Sequence, residues 1–351
     1  MKNARLYRRD DSVDCSPGGG SDTFFGLRVA SVFIILATSM FGALFPVLAR
    51  RSPRISPLIP HRVFETAKYF GSGVIIATAF IHLLDPATDE LTSPCLSPAW
   101  QEYPYALAIA LCSIFMIFIL ELVAFRWGTA KLAKLGITHD AHGHGVGGHA
   151  AHGPEGAKSE ETSAVQEKYD IDLEAEAIAA AKNGAVVENP TAQIIGVAIL
   201  EFGVLLHSVL IGLTLAVDEE FKVLFIVIIF HQMFEGLGVG SRLAYLKLPQ
   251  NYRFAPIVGA LLYGITTPIG IAVGLGVRTT YNPNTATASI VSGVLDAFSA
   301  GILIYTGLVE LMAHEFLFNK EMQNASNKKL AYAIGCMMLG AGLMALLGKW
   351  A

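Results

Sequence analysis

Two stretches of this sequence set metal-binding side chains among almost uniformly apolar neighbours. TAQIIGVAILEFGVLLHSVLIGLTLAV carries Glu201, His207 and Ser208, and FKVLFIVIIFHQMFEGLGVGSRLA carries His231, Gln232 and Glu235. Imidazole mixed with carboxylate suits zinc, iron, copper or nickel and disfavours magnesium or calcium. A charged side chain at mid-bilayer costs about 2.5–3.5 kcal/mol even on a lenient scale, so its presence there normally marks function. The short turn Asp218-Glu219-Glu220 makes the two stretches antiparallel neighbours. His207 lies ten residues before Val217, and His231 lies ten residues after Phe221. At a helical rise of about 1.5 Å per residue, both imidazoles sit roughly 15 Å from the same surface. His231 and Glu235 are i and i+4 and share one helical face. A single intramembrane histidine reads as an interhelical hydrogen bond. Two at matched depth with a carboxylate read as a divalent-metal site.

Other polar residues fall at the ends of apolar runs. His82 and Asp85 are placed at an outer entrance, and Cys95 in the acidic loop beyond them either collects metal or is simply solvated. Glu121, Glu310 and His314 lie near inner ends, where they form an exit relay or anchor helices at the interface. Asp296 is a weaker candidate in the outer part of its run. Gly236, Gly238 and Gly240 follow Glu235 and either loosen the helix or let a neighbour approach closely. THDAHGHGVGGHAAHG holds His139, His142, His144, His149 and His152, a flexible tract suited to weak metal binding rather than a folded zinc module. It reads as a regulatory sensor or buffer, with a plain spacer as the alternative.

The elements that must position these residues follow from composition. The chain has 351 residues, 53% hydrophobic and only 15% charged, against about a quarter charged in soluble domains. That leaves too little polar surface for a water-soluble protein. Eight apolar runs can cross the bilayer: Phe24–Ala49, Tyr69–Leu84, Tyr105–Phe125, Thr191–Val217, Phe221–Ala244, Phe254–Val277, Ser289–Ala313 and Leu330–Leu347. The second is short and is expected to extend outward past Asp85. The fold class is therefore an all-α integral membrane protein. Residues 1–23 form an extracytosolic disordered tail, 24–125 carry helices one to three, 126–190 a largely disordered cytosolic loop, and 191–351 helices four to eight. A three-helix group is thus followed by a five-helix group.

Basic and non-basic loops alternate along the chain, which puts both termini outside the cytosol despite a basic N-terminal tail. The pattern Asn324-Ala-Ser326 then falls on the cytosolic side and is expected to carry no glycan. The four cysteines, Cys15, Cys95, Cys112 and Cys336, are scattered and define no disulfide framework. A net charge of −4 gives no nucleic-acid signal.

HSVLIG at 207–212, HQMFEGLGVGSRLA at 231–244, TTPIGIAVG at 266–274 and AGILIYTGLVEL at 300–311 resemble the ZIP (Zrt/Irt-like) metal transporters, in particular their fungal and plant zinc/iron uptake branch. The resemblance spans nearly all eight runs. It implies a mid-membrane site between helices four and five and flux of Zn2+, with Fe2+ also admitted, into the cytosol. His207, His231 and Glu235 would be the core ligands, with Ser208 and Gln232 weak ligands or their supports. Ser208, Gln232 and Thr267 stand where some members hold a second metal, so one main site is expected. Glu201 would line the route below it. The substrate is the ion itself, in contact with the lipid bilayer at the plasma membrane or an internal one, and a homodimer is admitted. No phosphate-binding loop points to ATP hydrolysis. A membrane-embedded metal-dependent hydrolase is the rival reading, although HExxH is absent.

Overall fold

The computed structural model describes residues 15–16, 18–19, 23–134, 190–246 and 252–350. Among these, eight helices are long and apolar enough to cross a membrane. They are α1 (Phe25–Arg51), α2 (His61–Leu91), α3 (Tyr105–Lys134), α4 (Pro190–Val217), α5 (Phe221–Tyr245), α6 (Ala255–Val277), α7 (Ala286–Phe318) and α8 (Asn327–Leu347). Hydrocarbon offers no partner to a peptide group, so each apolar run must close its hydrogen bonds within itself.

Three boundaries differ from the hydropathy reading. Helix α2 begins at His61 and ends at Leu91, because Arg62, Glu65, Lys68 and Asp85 lie on the helix ends rather than stopping it. Its stretch Thr78–Leu84 is π-helical. Pro86 has no N–H to offer the carbonyl of His82 four residues back, which accounts for the widened ladder. The second half of α7, Thr306–Phe318, is π-helical as well. Helix α3 runs past Phe125 to Lys134, so the expected loop begins later. Its five histidines and residues 1–14 lie outside the described residues.

The spans divide three and five along the sequence, yet they pack in space as two groups of four. Helices α1, α4, α5 and α6 form one group, and α2, α3, α7 and α8 form the other. Glycine permits the closest approaches. A Cβ on Gly240 would stand 2.2 Å from the carbonyl oxygen of Ala43 on α1, and one on Gly71 of α2 would stand 2.2 Å from Cα of Gly238. The glycines after Glu235 therefore serve close packing, and α5 continues through them as an unbroken helix.

Arg28, fully buried near the start of α1, holds the α4–α5 turn. Its guanidinium donates to the carbonyls of Leu215 and Ala216 at 3.1 Å each and of Asp218 at 2.6 Å, and lies over the Phe221 ring at 4.5 Å. These carbonyls end α4 and have no partner within the helix, so a cation there satisfies both hydrogen bonding and the helix dipole.

On the same side of the molecule, Cys15 is disulfide-bonded to Cys95 across a Cα–Cα distance of 5.5 Å. Asn282, between α6 and α7, donates to the carbonyl of Ser16. The N-terminal segment, the α2–α3 loop and the α6–α7 loop thus share one face, as eight alternating spans require. The disulfide corrects the reading of Cys95 as a metal collector, since a bonded sulfur offers no thiolate. Spacing alone could not pair cysteines this far apart in the chain.

Two outcomes test this arrangement. Proteolysis without reductant should release a peptide pair joining Cys15 to Cys95, and only Cys112 and Cys336 should take up a thiol reagent after unfolding. Labelling of all four would refute the strap. Arg28→Ala should cost at least about 2 kcal/mol of stability, from lost charged hydrogen bonds, read as a lower melting temperature of the purified protein; an unchanged melting temperature would show that the cap is dispensable.

Candidate metal site

The α4–α5 hairpin brings His207, His231 and Glu235 together as counted from sequence. Their ligand atoms all lie within 4.8 Å of one another, and all three residues are buried. Nε2 of His207 faces Nε2 of His231 at 3.4 Å, and His231 Nε2 lies 3.8 Å from Glu235 Oε2. Two nitrogens bound tetrahedrally to one zinc, each at about 2.0–2.1 Å, stand roughly 3.3–3.4 Å apart. The imidazole pair already has that separation, and the carboxylate lies within 4.8 Å of both nitrogens.

Most polar atoms around this point have no partner. Nδ1 of both histidines, Oε1 of Glu235, both amide atoms of Gln232, and the hydroxyls of Ser208 and Thr267 are buried without a hydrogen bond. Each such group costs about 1–3 kcal/mol if nothing meets it. A run of them at one depth can supply ligands to a hydrated or partly dehydrated cation. Tyr263, fully buried on α6, donates to the carbonyl of Gln232 at 2.7 Å and lies 3.4 Å from Glu235 Oε2, so it braces the first turn of the ligand face. Sequence reasoning missed it, since a tyrosine in an apolar run carries no signal of its own.

His82 is buried beside the cluster. Its ring stands edge-on to that of His231 with centroids 4.6 Å apart, and its Nε2 is 2.9 Å from the carbonyl of Met344 on α8. A carbonyl only accepts, so Nε2 carries the proton and, in the neutral ring, Nδ1 keeps its lone pair. This placement follows from α2 running on to Leu91, which leaves His82 well inside the span. Asp85, by contrast, is exposed and makes no contact with the cluster.

The inner residues divide. Glu121 accepts from Tyr305 at 2.7 Å, and Glu310 lies 3.7 Å from the guanidinium of Arg242. Arg242 belongs to α5 and Glu310 to α7, so the pair crosses from one helix group to the other. His314 is exposed on the π-helical turn, away from that pair, with its ring near Phe318. Glu201 points at α6, where a Cβ on Gly259 would lie 2.3 Å from its Oε1. Asp296 on α7 is more central than expected, with Oδ1 3.7 Å from Nδ1 of His207.

Fold and site together define a polytopic membrane protein with a buried imidazole–carboxylate cluster, able to hold a metal ion, where two four-helix groups meet. The sequence matches the ZIP zinc transporter family over residues 25–348. It is 39% identical to zinc-regulated transporter 2 of Saccharomyces cerevisiae over 99% of both chains, and 43% identical to zinc-regulated transporter 1 of that yeast over 93% of this chain and 88% of the relative. Zinc transporter 3 of Arabidopsis thaliana is 36% identical over 92% of this chain and 84% of its own. The chain belongs to the ZIP family of zinc transporters. That membership replaces the hydrolase reading.

The new position of His82 has a measurable consequence. His82→Ala should lower initial zinc uptake at limiting zinc by roughly tenfold, the scale of losing a group that touches a metal ligand. Asp85→Ala, on the exposed turn beyond, should stay within about twofold. Equal losses would return both residues to a shared entrance role.

Proposed function

We propose that this protein carries Zn2+ into the cytosol through one transport site made by His207, His231 and Glu235. The observation that supports this most directly is the 3.4 Å separation of the two Nε2 atoms beside a buried, half-unpaired carboxylate. Imidazole nitrogen and carboxylate oxygen also accept Fe2+, which makes iron the competing cargo. His82 is a further ligand or support from α2. Ser208, Gln232 and Thr267 are neutral, so they solvate the ion rather than hold a second one tightly. Neutral ligands suit a carrier, which must release what it binds.

The disulfide supports an orientation with both termini outside, because such bonds persist on the oxidising side of a membrane. That side is the cell exterior if the protein works at the plasma membrane. Zinc then approaches past Asp85 and leaves between Glu310 and Glu121 once the Arg242 pair opens. The histidine tract between α3 and α4 meets the ion on the cytosolic side and serves as a local buffer.

Uptake of labelled zinc into liposomes by the purified protein tests the reading. The intact chain should show saturable uptake inhibited by iron, and His207→Ala and Glu235→Ala should each lower it by tenfold or more. Uptake should also fall as the outer pH drops, because protons compete with the ion for the imidazole lone pairs. The sign follows from the lone pair: a protonated histidine cannot bind metal, so acid weakens binding. Equal uptake by all three proteins would remove the site from these residues.

A further inference from the structure

We propose that Asp296 is a positioning residue for the transported ion: its carboxylate accepts the Nδ1–H of His207 and turns the Nε2 lone pair toward His231 and Glu235. This rests on His207 being a ligand of the ion.

The two ring nitrogens of His207 face different groups. Nε2 faces His231 at 3.4 Å, inside the ligand cluster, and Nδ1 faces Oδ1 of Asp296 at 3.7 Å. A neutral imidazole that binds metal through Nε2 keeps its proton on Nδ1, and that proton needs an acceptor wherever water is excluded. Asp296 stands in the acceptor's place. Both Nδ1 of His207 and Oδ1 of Asp296 are buried without a hydrogen bond, and the two residues are 3% and 8% exposed. A shift of a few tenths of an ångström closes the contact. His207 is also the only ion-pair partner of Asp296 among the described residues.

Geometry excludes Asp296 as a fourth ligand of the same ion. The lone pairs of Nδ1 and Nε2 point to opposite sides of the ring, so a carboxylate in front of Nδ1 lies behind an ion held by Nε2. One turn further along the same seam, Ser299 of α7 donates to the carbonyl of Gly203 on α4. Gly203 precedes His207 by one helical turn, and its missing side chain lets Ile302 and Leu303 press close. The seam that presents Asp296 is therefore fixed by packing and a second hydrogen bond.

Asp296 belongs to the other helix group from the ligand it orients. The orientation of His207, and with it the affinity of the site, depends on how the two groups are docked. A change in docking that withdraws α7 from α4 would loosen the imidazole and favour release.

The test is zinc binding by calorimetry on the purified full-length protein, with the visible spectrum of bound Co2+ as a second readout. Intact protein, Asp296→Ala, Asp296→Asn and His207→Ala are compared, each accepted only with the intact protein's size-exclusion profile. Asp296→Ala should raise the zinc Kd roughly ten- to a hundredfold and shift the Co2+ bands. Asp296→Asn keeps an oxygen acceptor in a side chain of the same shape, so it should recover most of the affinity and the intact spectrum. If His207→Ala loses binding while Asp296→Ala stays within about twofold of the intact protein, the inference fails and the site stands. An Asn variant as weak as Ala with an unchanged Co2+ spectrum would also sink it. If His207→Ala binds as the intact protein does, the site reading fails and Asp296 falls with it.

Discussion

Hydrocarbon gives a polar group nothing to bond to, and nearly every feature of this molecule answers that constraint. Apolar runs become helices because only a helix satisfies its own backbone. Where α4 ends, its free carbonyls receive the buried guanidinium of Arg28. Where helices touch, Gly71, Gly238 and Gly240 let backbones meet with almost no space between them. Against that thorough bookkeeping, the unpaired polar atoms around His207 and His231 stand out. Several of them are atoms able to bind a cation, and they share one depth.

The grouping of helices matters as much as the ligands. His207, His231 and Glu235 sit on one four-helix group, while His82 and Asp296 reach the site from the other. At the inner end, the Arg242–Glu310 pair crosses the same boundary. Polar contacts between the groups thus include the cluster, the Ser299–Gly203 bond and the Arg242–Glu310 pair. A displacement of one group against the other would change the geometry of the cluster and the Arg242–Glu310 pair together, as a carrier requires and a static binding protein does not.

Much of this was legible in the sequence, for local reasons. Hydropathy reports the solvent directly, so eight spans and their approximate limits could be counted from composition. The depth match of His207 and His231 followed from a short turn and a fixed helical rise, both local quantities. The spacing of His231 and Glu235 fixed their common face. The same locality sets the limit: charged residues at the ends of α2 hid its true length, which leaves His82 well inside the span.

Other features depend on which helix lies beside which, and no local pattern carries that. The three-plus-five division of the chain hid two interleaved groups of four. Asp296 and His207 are separated by two spans in the sequence, and they meet only because α7 packs on α4. Cys15 and Cys95 likewise meet only because the N-terminal segment lies beside the α2–α3 loop, and Arg242 finds Glu310 only across the group boundary. The sequence by itself determined the solvent of each segment and the chemistry of the ligands, since both are properties of residue type and short spacing. Tertiary structure alone decided which distant helices supply the partners of those ligands, because in a membrane the helices are chosen by shape complementarity rather than by hydrophobicity, which all of them share.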